Sequence, residues 1–595
     1  MQYEYPEKTP LMKQIEREIS DYTTRTVNLG ENINYSQHKL VRRIVLFESK
    51  TYPTGKFDSQ GNYKYWFDIQ SPLIDSEVKN VDFDTKNIEV YTPFKLDETP
   101  NLIVNLKLNE WMRENGQAEE INSSIEEGAS WGNIVWKKIR GSYERMDLRN
   151  FYVINQAAKS LKESPVIEYH PYNQTQVREM SKQWKNVDQV LSKCGSNFYK
   201  RDDSSTEEET TTPYYSIYER NGEVNLRDLK EQRIKLGFEE TIEKGDSEKY
   251  VLAKVISAGT QNNNGAVKIR YVMFADEITK MPYKEYHRGR YKGRWFREGI
   301  YELTFDIQVR CSEIGNQLAR GLEWASKQVF YSPDKLVIQN IISDLKNGDI
   351  IRASNLAHVP VRMEGFDQLV AEWNRLIQMA RDLTNSREIV QGDDMPAGMP
   401  FRMGALLNVN ANKLYDFIRE KIAIPLSEIF GEEVVPGLVD DLKASDVLRL
   451  TGDSDMLNRM YQLVVDNWYV KNLIAIGAHS PEVAELIKQK KLEDLKKDKT
   501  LFLSEFKQMF ENYKPRVAVV ITGENVDLPE KLQTLATFIS MESDPVRRSY
   551  LIEKAMRLKG IDVGALPRST PEQLMGVKPE VSSLMGAGAS DKAQE

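Results

Sequence analysis

The sequence predicts an α+β fold, with sheet-forming segments first and long helices after them. Two features of the 595-residue chain predict it. Tracts rich in aromatic and β-branched residues, punctuated by Gly, Pro and Asn, fill much of residues 40–105 and 213–275 and alternate as half-buried strands do. From residue 303 onward, apolar side chains instead return every three or four positions over long stretches, the period of an amphipathic helix.

Taken in order, residues 8–22 have a helical pattern. RRIVLFESKTY (42–52), NYKYWFDI (62–69) and KNIEVYTPF (86–94) read as strands. Residues 102–126 are helical, with Leu106, Trp111 and Ile121 among the apolar positions. SWGNIVWKKI (130–139) and DLRNFYVIN (147–155) are strands again. Val177, Met180, Trp184, Val187 and Leu191 step by three and four and predict one helix over 173–194. DDSSTEEETTTP (202–213) is polar and low in complexity, a surface loop or hinge. Three strand patterns follow, in PYYSIYERNGEVNLRDL, KYVLAKVISAG and GAVKIRYVMFA, with a turn at NNNG (262–265), where Asn and Gly tolerate positive φ.

The second half is helical. Ile307, Cys311, Ile314, Leu318, Leu322 and Ala325 lie on one face of a helix over 303–328, roughly 39 Å long at 1.5 Å per residue. Residues 329–364 are short and mixed. Leu369, Trp373, Leu376, Ala380 and Leu383 mark a second helix over 366–390, roughly 37 Å long. EIVQGDDMPAGMPFR (388–402) interrupts the helical pattern. A helix resumes over 410–430, and Pro425, which lacks a backbone donor, predicts a kink there. Residues 441–512 are mostly helical and include KQKKLEDLKKDK (488–499), an exposed face with i,i+4 charge pairs. PRVAVVITGEN (515–525) is a strand, 529–560 a helix, and VSSLMGAGASDKAQE a polar, disordered tail. No internal repeat is present.

Composition narrows the function classes. The chain is about four times the roughly 150 residues of a typical domain. It is 40% hydrophobic and 29% charged, which suits a soluble protein. It has no apolar run long enough to cross a membrane, and the first residues lack the apolar core of a secretory signal. Two cysteines, Cys194 and Cys311, cannot make a disulfide framework and fit a reducing compartment. Five histidines are scattered, and neither His287 nor His358 has neighbours suited to hold a metal. The net charge of −8 and pI near 5.6 argue against a generic nucleic-acid binder, which needs a basic surface. GxxxxGK[ST], GxSxG and HExxH are all absent, so no nucleotide-hydrolysing, hydrolase or zinc-protease motif is present.

Two local motifs remain. Gly-Asp-Asp at 392–394 matches the metal-binding turn of viral RNA polymerases, but that turn joins two strands. Here MPAGMP follows, and proline removes the donors a second strand needs. The run YKEYHRGRYKGRWFREG (283–299) concentrates Lys284, Arg288, Arg290, Lys292, Arg294 and Arg297. It can serve nucleic acid through charge and stacking, or an acidic neighbouring subunit, or form a loop whose cations pair locally. Cys311 lies on an apolar helix face and reads as core. The acids of EINSSIEEG (120–128) read as a solvated helix end.

The order of these elements resembles the portal, or head–tail connector, proteins of tailed double-stranded DNA bacteriophages of the short-tailed type, with a texture like that of crAss-like phage portals. SWGNIVWKK, DLRNFYVIN and the helix after YHPYNQTQVREM resemble a portal wing. RYKGRWFREGIYELTFDIQVRCSEIGNQLARGLEWASK resembles the approach to a first stem helix, with Gln308 and Asn316 as polar positions along it, and GDIIRA stands where a clip strand is expected. The resemblance runs from about residue 40 to 450 and lies in element order more than in any single motif.

That resemblance implies a wing over 1–300 with a hinge near 202–213, a first stem helix over 301–328, a clip over 329–364 and a second stem helix over 365–390. It implies a tunnel loop over 391–402, then a kinked helix and crown over 403–567, with 515–525 returning to the wing and 568–595 disordered. It implies a dodecameric homo-oligomeric ring at one capsid vertex, in the virion, with no enzyme activity, cofactor or metal. Its expected partners are duplex DNA, the large terminase, the major capsid protein and head–tail adaptor or tail proteins, and no membrane. Gly392, Asp393, Asp394, Met395, Pro396, Gly398 and Met399 become the tunnel loop. Its acids would repel phosphate and centre the duplex, its methionines offer adaptable surface, its glycines allow movement and its prolines block helix. Two further readings are another ring-forming virion adaptor, which is usually shorter, and a metal-dependent nucleic-acid enzyme using the Gly-Asp-Asp acids.

Overall fold

The computed structural model describes residues 6–58, 61–81, 88–91, 99–139, 142–196, 213–261, 266–326, 329–331, 357–359, 365–384, 401–441, 454–476, 481–498, 516–519 and 528–541, with scattered residues between 501 and 508 and between 548 and 555. The chain divides into two compact units, Met1–Ile521 and Thr522–Glu595. Of the second, the structure describes mainly one helix, Leu528–Met541.

The first unit opens with α1 (Pro10–Thr24), started by Thr9, whose hydroxyl accepts from Met12 N, and by a proline in the first turn. A short pair, β1 (Val27–Asn28) and β2 (Asn34–Tyr35), leads to α2 (Gln37–Glu48) and α3 (Gln70–Val81). β3 (Ile88–Tyr91), α4 (Thr99–Glu114) and α5 (Gln117–Trp131) follow. Next come β4 (Asn133–Ile139), β5 (Ser142–Arg145), β6 (Phe151–Val153), β7 (Val166–Asn173), α6 (Gln174–Glu179), α7 (Val187–Lys193) and β8 (Gly195–Ser196). Then β9 (Tyr214–Asn225), α8 (Leu226–Lys235), β10 (Tyr250–Gln261), β11 (Val267–Glu277) and β12 (Tyr283–His287) complete the sheet-rich part.

The long helix α9 (Ile300–Ser326) is followed by β13 (Val329–Tyr331), β14 (Ala357–Val359), α10 (Phe366–Thr384) and α11 (Phe401–Ile429). A π-helical turn at Phe430–Val434 and α12 (Val435–Asp440) continue α11. α13 (Ser454–Ile476), α14 (Pro481–Lys497) and β15 (Arg516–Val519) end the unit.

Two sheets organise the first half. Six antiparallel strands run in the order β11-β10-β9-β7-β6, with β8 also on β9. Their apolar residues divide between two faces. Ile167, Tyr218, Val255 and Ile269 pack against α1 and α8 through Leu11, Ile15 and Leu229. Tyr215, Ile217, Ile256 and Met273 pack against Val177, Val187 and Val190 of α6 and α7. A three-stranded sheet, β12-β4-β5, lies between a core built on α2 (Ile44, Phe47, Val135, Phe151, Trp295) and one built on α4, α5, α11 and α13 (Leu108, Ile125, Ile134, Ile422, Val464).

Several expectations need correction. Residues 42–52 are not a strand: Ser36 caps α2 by accepting from Lys39 N, and Val41, Ile44 and Phe47 step by three to bury one helix face. Residues 62–69 are extended but join no sheet beyond one isolated bridge, Phe57 with Tyr63. Of the three strands expected in this tract only β3 forms, and it pairs with β15, its partner from the 515–525 segment. The helix expected over 102–126 is two helices, parted at Gly116, which adopts the left-handed conformation at φ 60°. The helix expected over 173–194 is also broken, with Asn186 at φ 59° entering α7, although its apolar residues still share one core. α11 is helical through Pro425, and the change of hydrogen-bond register comes later, at 430–434. On α14, Leu495 is fully buried, and Lys488 and Lys491 pair across to Asp466 and Glu505, so the 488–499 segment is not one solvated face. The 202–212 hinge, the NNNG turn, GDIIRA and the C-terminal tail lie outside the described residues.

Candidate functional site: the helical hairpin and its surroundings

α9 and α10 form an antiparallel pair. β13, just after α9, is paired antiparallel with β14, just before α10 (Val329 with Val359, Tyr331 with Ala357), so those helix ends stand together. Ile307, Cys311, Ile314 and Leu318 of α9 share a buried core with Leu376 and Ala380 of α10, against which Leu369 and Trp373 pack. These residues hold the stem-packing positions read from the sequence. Two others do not: Leu322 is 55% exposed and Leu383 48% exposed. Each sits on the apolar stripe near one end of the hairpin, and among the described residues both stay largely open to solvent. Val370 and Met379 of α10 are also exposed. Cys311 is core as expected, and burial pushes its thiol up to about 11.

The other flank of α9 carries a row of buried polar residues. Gln308, Ser312 and Asn316 recur every four positions, a rise of about 6 Å. The extended segment 65–69 beside them repeats its backbone groups every two residues, about 6.6 Å. The two spacings match. Ile69 N donates to Gln308 Oε1 at 3.0 Å and Gln308 Nε2 donates to Phe67 O at 2.7 Å. Phe67 N donates to Ser312 Oγ at 3.3 Å. Tyr65 N donates to Asn316 Oδ1 and Asn316 Nδ2 donates to Tyr65 O, both at 2.8 Å. The helix therefore supplies the partners that a neighbouring strand would supply in a sheet, which explains how 62–69 is extended without pairing. Two glycines make room for rings: Phe67 lies against Gly315 and Phe366 against Gly321. On the polar side of α9, a cleft of about 590 Å³ is lined by Arg43, Tyr52, Asp58, Lys64, Arg310 and Arg320, among others. Arg43 pairs with Asp306, Arg310 with Glu313 and Arg320 with Asp58.

The basic run is largely neutralised within the chain. Lys284 contacts Glu428 at 2.7 Å and Glu432 at 3.2 Å on α11 and the π turn. Arg288 makes a buried bidentate pair with Glu77 of α3, both bonds at 2.7 Å. Lys292 pairs with Glu298 at 2.6 Å, and Arg294 with Glu302 at 2.8 Å. Arg297 is 5% exposed and donates to the carbonyls of Arg294 and Lys159. Of the six, Arg290 and Lys292 are exposed. Of the three readings open for this run, local pairing describes Lys292 and Arg294, whereas Lys284 and Arg288 reach acids on distant elements and Arg297 is buried against carbonyls. The acids read as a solvated helix end are corrected too: Glu127 is buried and accepts from Arg145 Nη1 at 2.8 Å, and Glu120 accepts from Arg145 N at 2.7 Å.

Gly392, Asp393, Asp394, Met395, Pro396, Gly398 and Met399 lie outside the described residues, between α10 and α11. Residues 401 and 402, placed in the expected loop, are already the first of α11.

One cluster escaped the sequence reading. Where the three-stranded sheet meets the six-stranded one, Lys137 Nζ donates to Glu168 Oε1 at 2.7 Å and to Glu219 Oε1 at 2.6 Å. Both acids are buried, and they face each other across β7 and β9. Their charges hold the Lys137 ammonium above the ordinary lysine range in spite of burial. Burial pushes Glu219 up, but Lys137 and Lys254 outweigh it, and its carboxyl falls to about 2. Glu168, His170 and Glu219 offer ligand atoms within 4.8 Å of one another, but the ammonium already supplies the positive charge these acids require. Nothing in the sequence pattern announced it, because its members are far apart in the chain and each stands in an ordinary strand.

Among the described residues no helix is long and apolar enough to cross a membrane. No protein-family model matches the chain, and no curated protein matches it.

Proposed function

We propose that this chain is a portal-type subunit: copies form a closed ring at one vertex of a virus shell, and duplex DNA passes through the centre. The observation that carries the proposal is the helical hairpin. α9 and α10 are roughly 40 and 28 Å long, antiparallel, bracketed by a two-stranded pair, and followed by a third long helix. This is the element order of a stem and clip. The hairpin also leaves Leu322 and Leu383 exposed at opposite ends, as a subunit does when a neighbour completes its packing. A head-to-tail contact that closes by rotation makes a ring.

Charge supports the same reading. Contacts from many subunits would add, since each neutralised phosphate contributes about 0.9 to the salt dependence of binding. A ring through which DNA must move therefore does better with its cations engaged elsewhere, as Lys284, Arg288, Lys292 and Arg294 are. In this proposal the 391–400 segment is the tunnel loop and Asp393 and Asp394 keep the duplex centred. The large terminase and later the adaptor or tail proteins dock at the end carrying residues 332–356, and the major capsid protein meets the sheet-rich part. The proposed role needs no reaction on a substrate and no metal or cofactor.

Negative-stain electron microscopy of the purified full chain tests the proposal. Top views with a central hole and a constant subunit count, twelve on the family pattern, are expected. Monomers alone over a wide concentration range, by microscopy and by sedimentation, would overturn it.

A further inference from the structure

The cluster around Lys137 holds more than an ion pair. Asn221 of β9 is fully buried, and its Nδ2 donates to Glu219 Oε1 at 3.0 Å and to Tyr283 Oη at 2.7 Å. Tyr283 in turn donates to Glu168. Five polar atoms close a ring: Lys137 Nζ, Glu168 Oε1, Tyr283 Oη, Asn221 Nδ2 and Glu219 Oε1. One carboxylate oxygen of Glu219 therefore touches both the lysine amine, at 2.6 Å, and the carboxamide nitrogen, at 3.0 Å. Asn221 Oδ1, buried with the rest, has no hydrogen-bond partner among the described residues, an arrangement that a merely structural asparagine avoids.

We propose that Lys137 and Asn221 join in an intramolecular isopeptide bond, with Glu219 as the proton carrier. Uphill, against the charges that hold it as ammonium, Lys137 gives a proton to Glu219, and the small fraction of free amine so formed attacks Asn221 Cγ, forming the Nζ–Cγ bond. Glu219 returns that proton to Nδ2, the Cγ–Nδ2 bond breaks, and the nitrogen leaves as ammonia. The remaining extra proton on Nζ passes to a carboxylate of the pair, so atoms and charge balance without any co-reactant.

The fold positions each participant. Lys137 stands opposite Tyr283 in the β4–β12 register, and Glu168 stands opposite Glu219 in the β7–β9 register. Asn221 is two residues from Glu219 and so on the same face. Holding amine and amide together on rigid strands turns a slow bimolecular aminolysis into an intramolecular one. Lys254 is the competing amine, since it pairs with Asn221 in the β10–β9 register and reaches Glu219 at 3.0 Å. Its side chain is 31% exposed against 6% for Lys137, so Lys137 is the amine enclosed by the buried network. Lys254 also keeps Glu219 neutralised once Lys137 has reacted.

Mass spectrometry of the purified full chain decides the matter. The intact mass is expected to fall short of the sequence mass by about 17 Da, the mass of ammonia. Tandem spectra of a tryptic digest should contain a branched peptide joining Lys137 to Asn221. Lys137→Arg and Glu219→Gln should restore the full mass, and Lys254→Arg should keep the deficit, with circular dichroism reporting that each variant is folded. A full-mass wild-type chain overturns the proposal. So does a deficit accompanied only by linear peptides, since a succinimide at Asn221-Gly222 loses the same mass. A branch through Lys254 overturns Lys137 as the nucleophile.

Discussion

The ring of Phe366 fills the place where a β-carbon on Gly321 would stand: built there, that carbon lies 2.3 Å from Phe366 Cζ. Phe366 opens α10 and Gly321 is in the last turns of α9, so this contact sets how closely the two helices approach at that end.

Two effects oppose each other in Gly321→Ala. Helix propensity favours alanine by about 1 kcal/mol. Overpacking a close contact costs about 1–3 kcal/mol, and here the ring is held by both helices. A net loss of stability is expected in urea denaturation. A stabilised variant would mean that Phe366 turns aside freely and does not fix the helix spacing.

The Gln308–Ser312–Asn316 row makes a second prediction. Replacing Asn316 by Leu leaves Tyr65 N without its partner and Tyr65 O with only the Tyr52 hydroxyl, at a cost of about 1–3 kcal/mol for an unmet group. Hydrogen exchange at the amides of Tyr65, Phe67 and Ile69 should accelerate in this variant while α10 stays protected. Unchanged exchange at those amides would show that aromatic packing, and not the polar row, holds the segment.

Periodicity found the long elements because each is amphipathic by itself. The stripe Ile307–Leu318 and the alternation in β9, β10 and β11 depend only on which face is buried. The tract 42–69 misled because its residues are strand formers by type, yet Val41, Ile44 and Phe47 also fit a helical step and Ser36 caps it. Residues 65–69 are extended as their composition suggests, but their partners are side chains more than two hundred residues away. The basic run showed its charge and one of its acids, Glu298, but not the others, which come from α3, α11, the π turn and the start of α9. Lys137, Glu168, Glu219 and Asn221 were invisible, because only the meeting of two sheets brings them together.

Arg288 and Arg290 separate the two ways of reading the basic run. Arg288→Ala strands Glu77, which is 2% exposed, and removing one partner of a buried pair costs about 3–5 kcal/mol. Arg290→Ala removes an exposed charge and should change stability by no more than about 0.5 kcal/mol. Thermal unfolding of both variants checks this. Equal, small effects would mean that the Arg288–Glu77 pair is solvated and the run is a free cationic surface.

Glu127 gives a pH prediction. Burial raises its carboxyl to about 7, against the lowering effect of Arg145. A group whose folded value lies above its unfolded value, near 4.5, stabilises the fold fully below that unfolded value. That contribution is lost as pH rises from about 4.5 to 7, about 3 kcal/mol at most. Glu127→Gln should flatten the stability profile across this window and be the more stable form at pH 8. A profile in Glu127→Gln as steep as that of wild type would assign the slope to other groups.

Leu318 and Leu322 are one helical turn apart on the same stripe, and they should fail in different ways. Leu318 is 8% exposed and packs within the hairpin. Aspartate there places an unpaired charge in a core, and the subunit itself should unfold, with loss of the α9–α10 pair. Leu322 is already in water in the single chain, so Leu322→Asp should leave the subunit folded, with thermal unfolding within about 0.5 kcal/mol of wild type. If a neighbouring copy covers Leu322, its ring should nevertheless be lost, because the charge is then buried at the contact. Sedimentation velocity with circular dichroism reads both effects: folded monomer for Leu322→Asp, disordered chain for Leu318→Asp. Rings that form normally from Leu322→Asp would remove this end of the hairpin from the subunit interface.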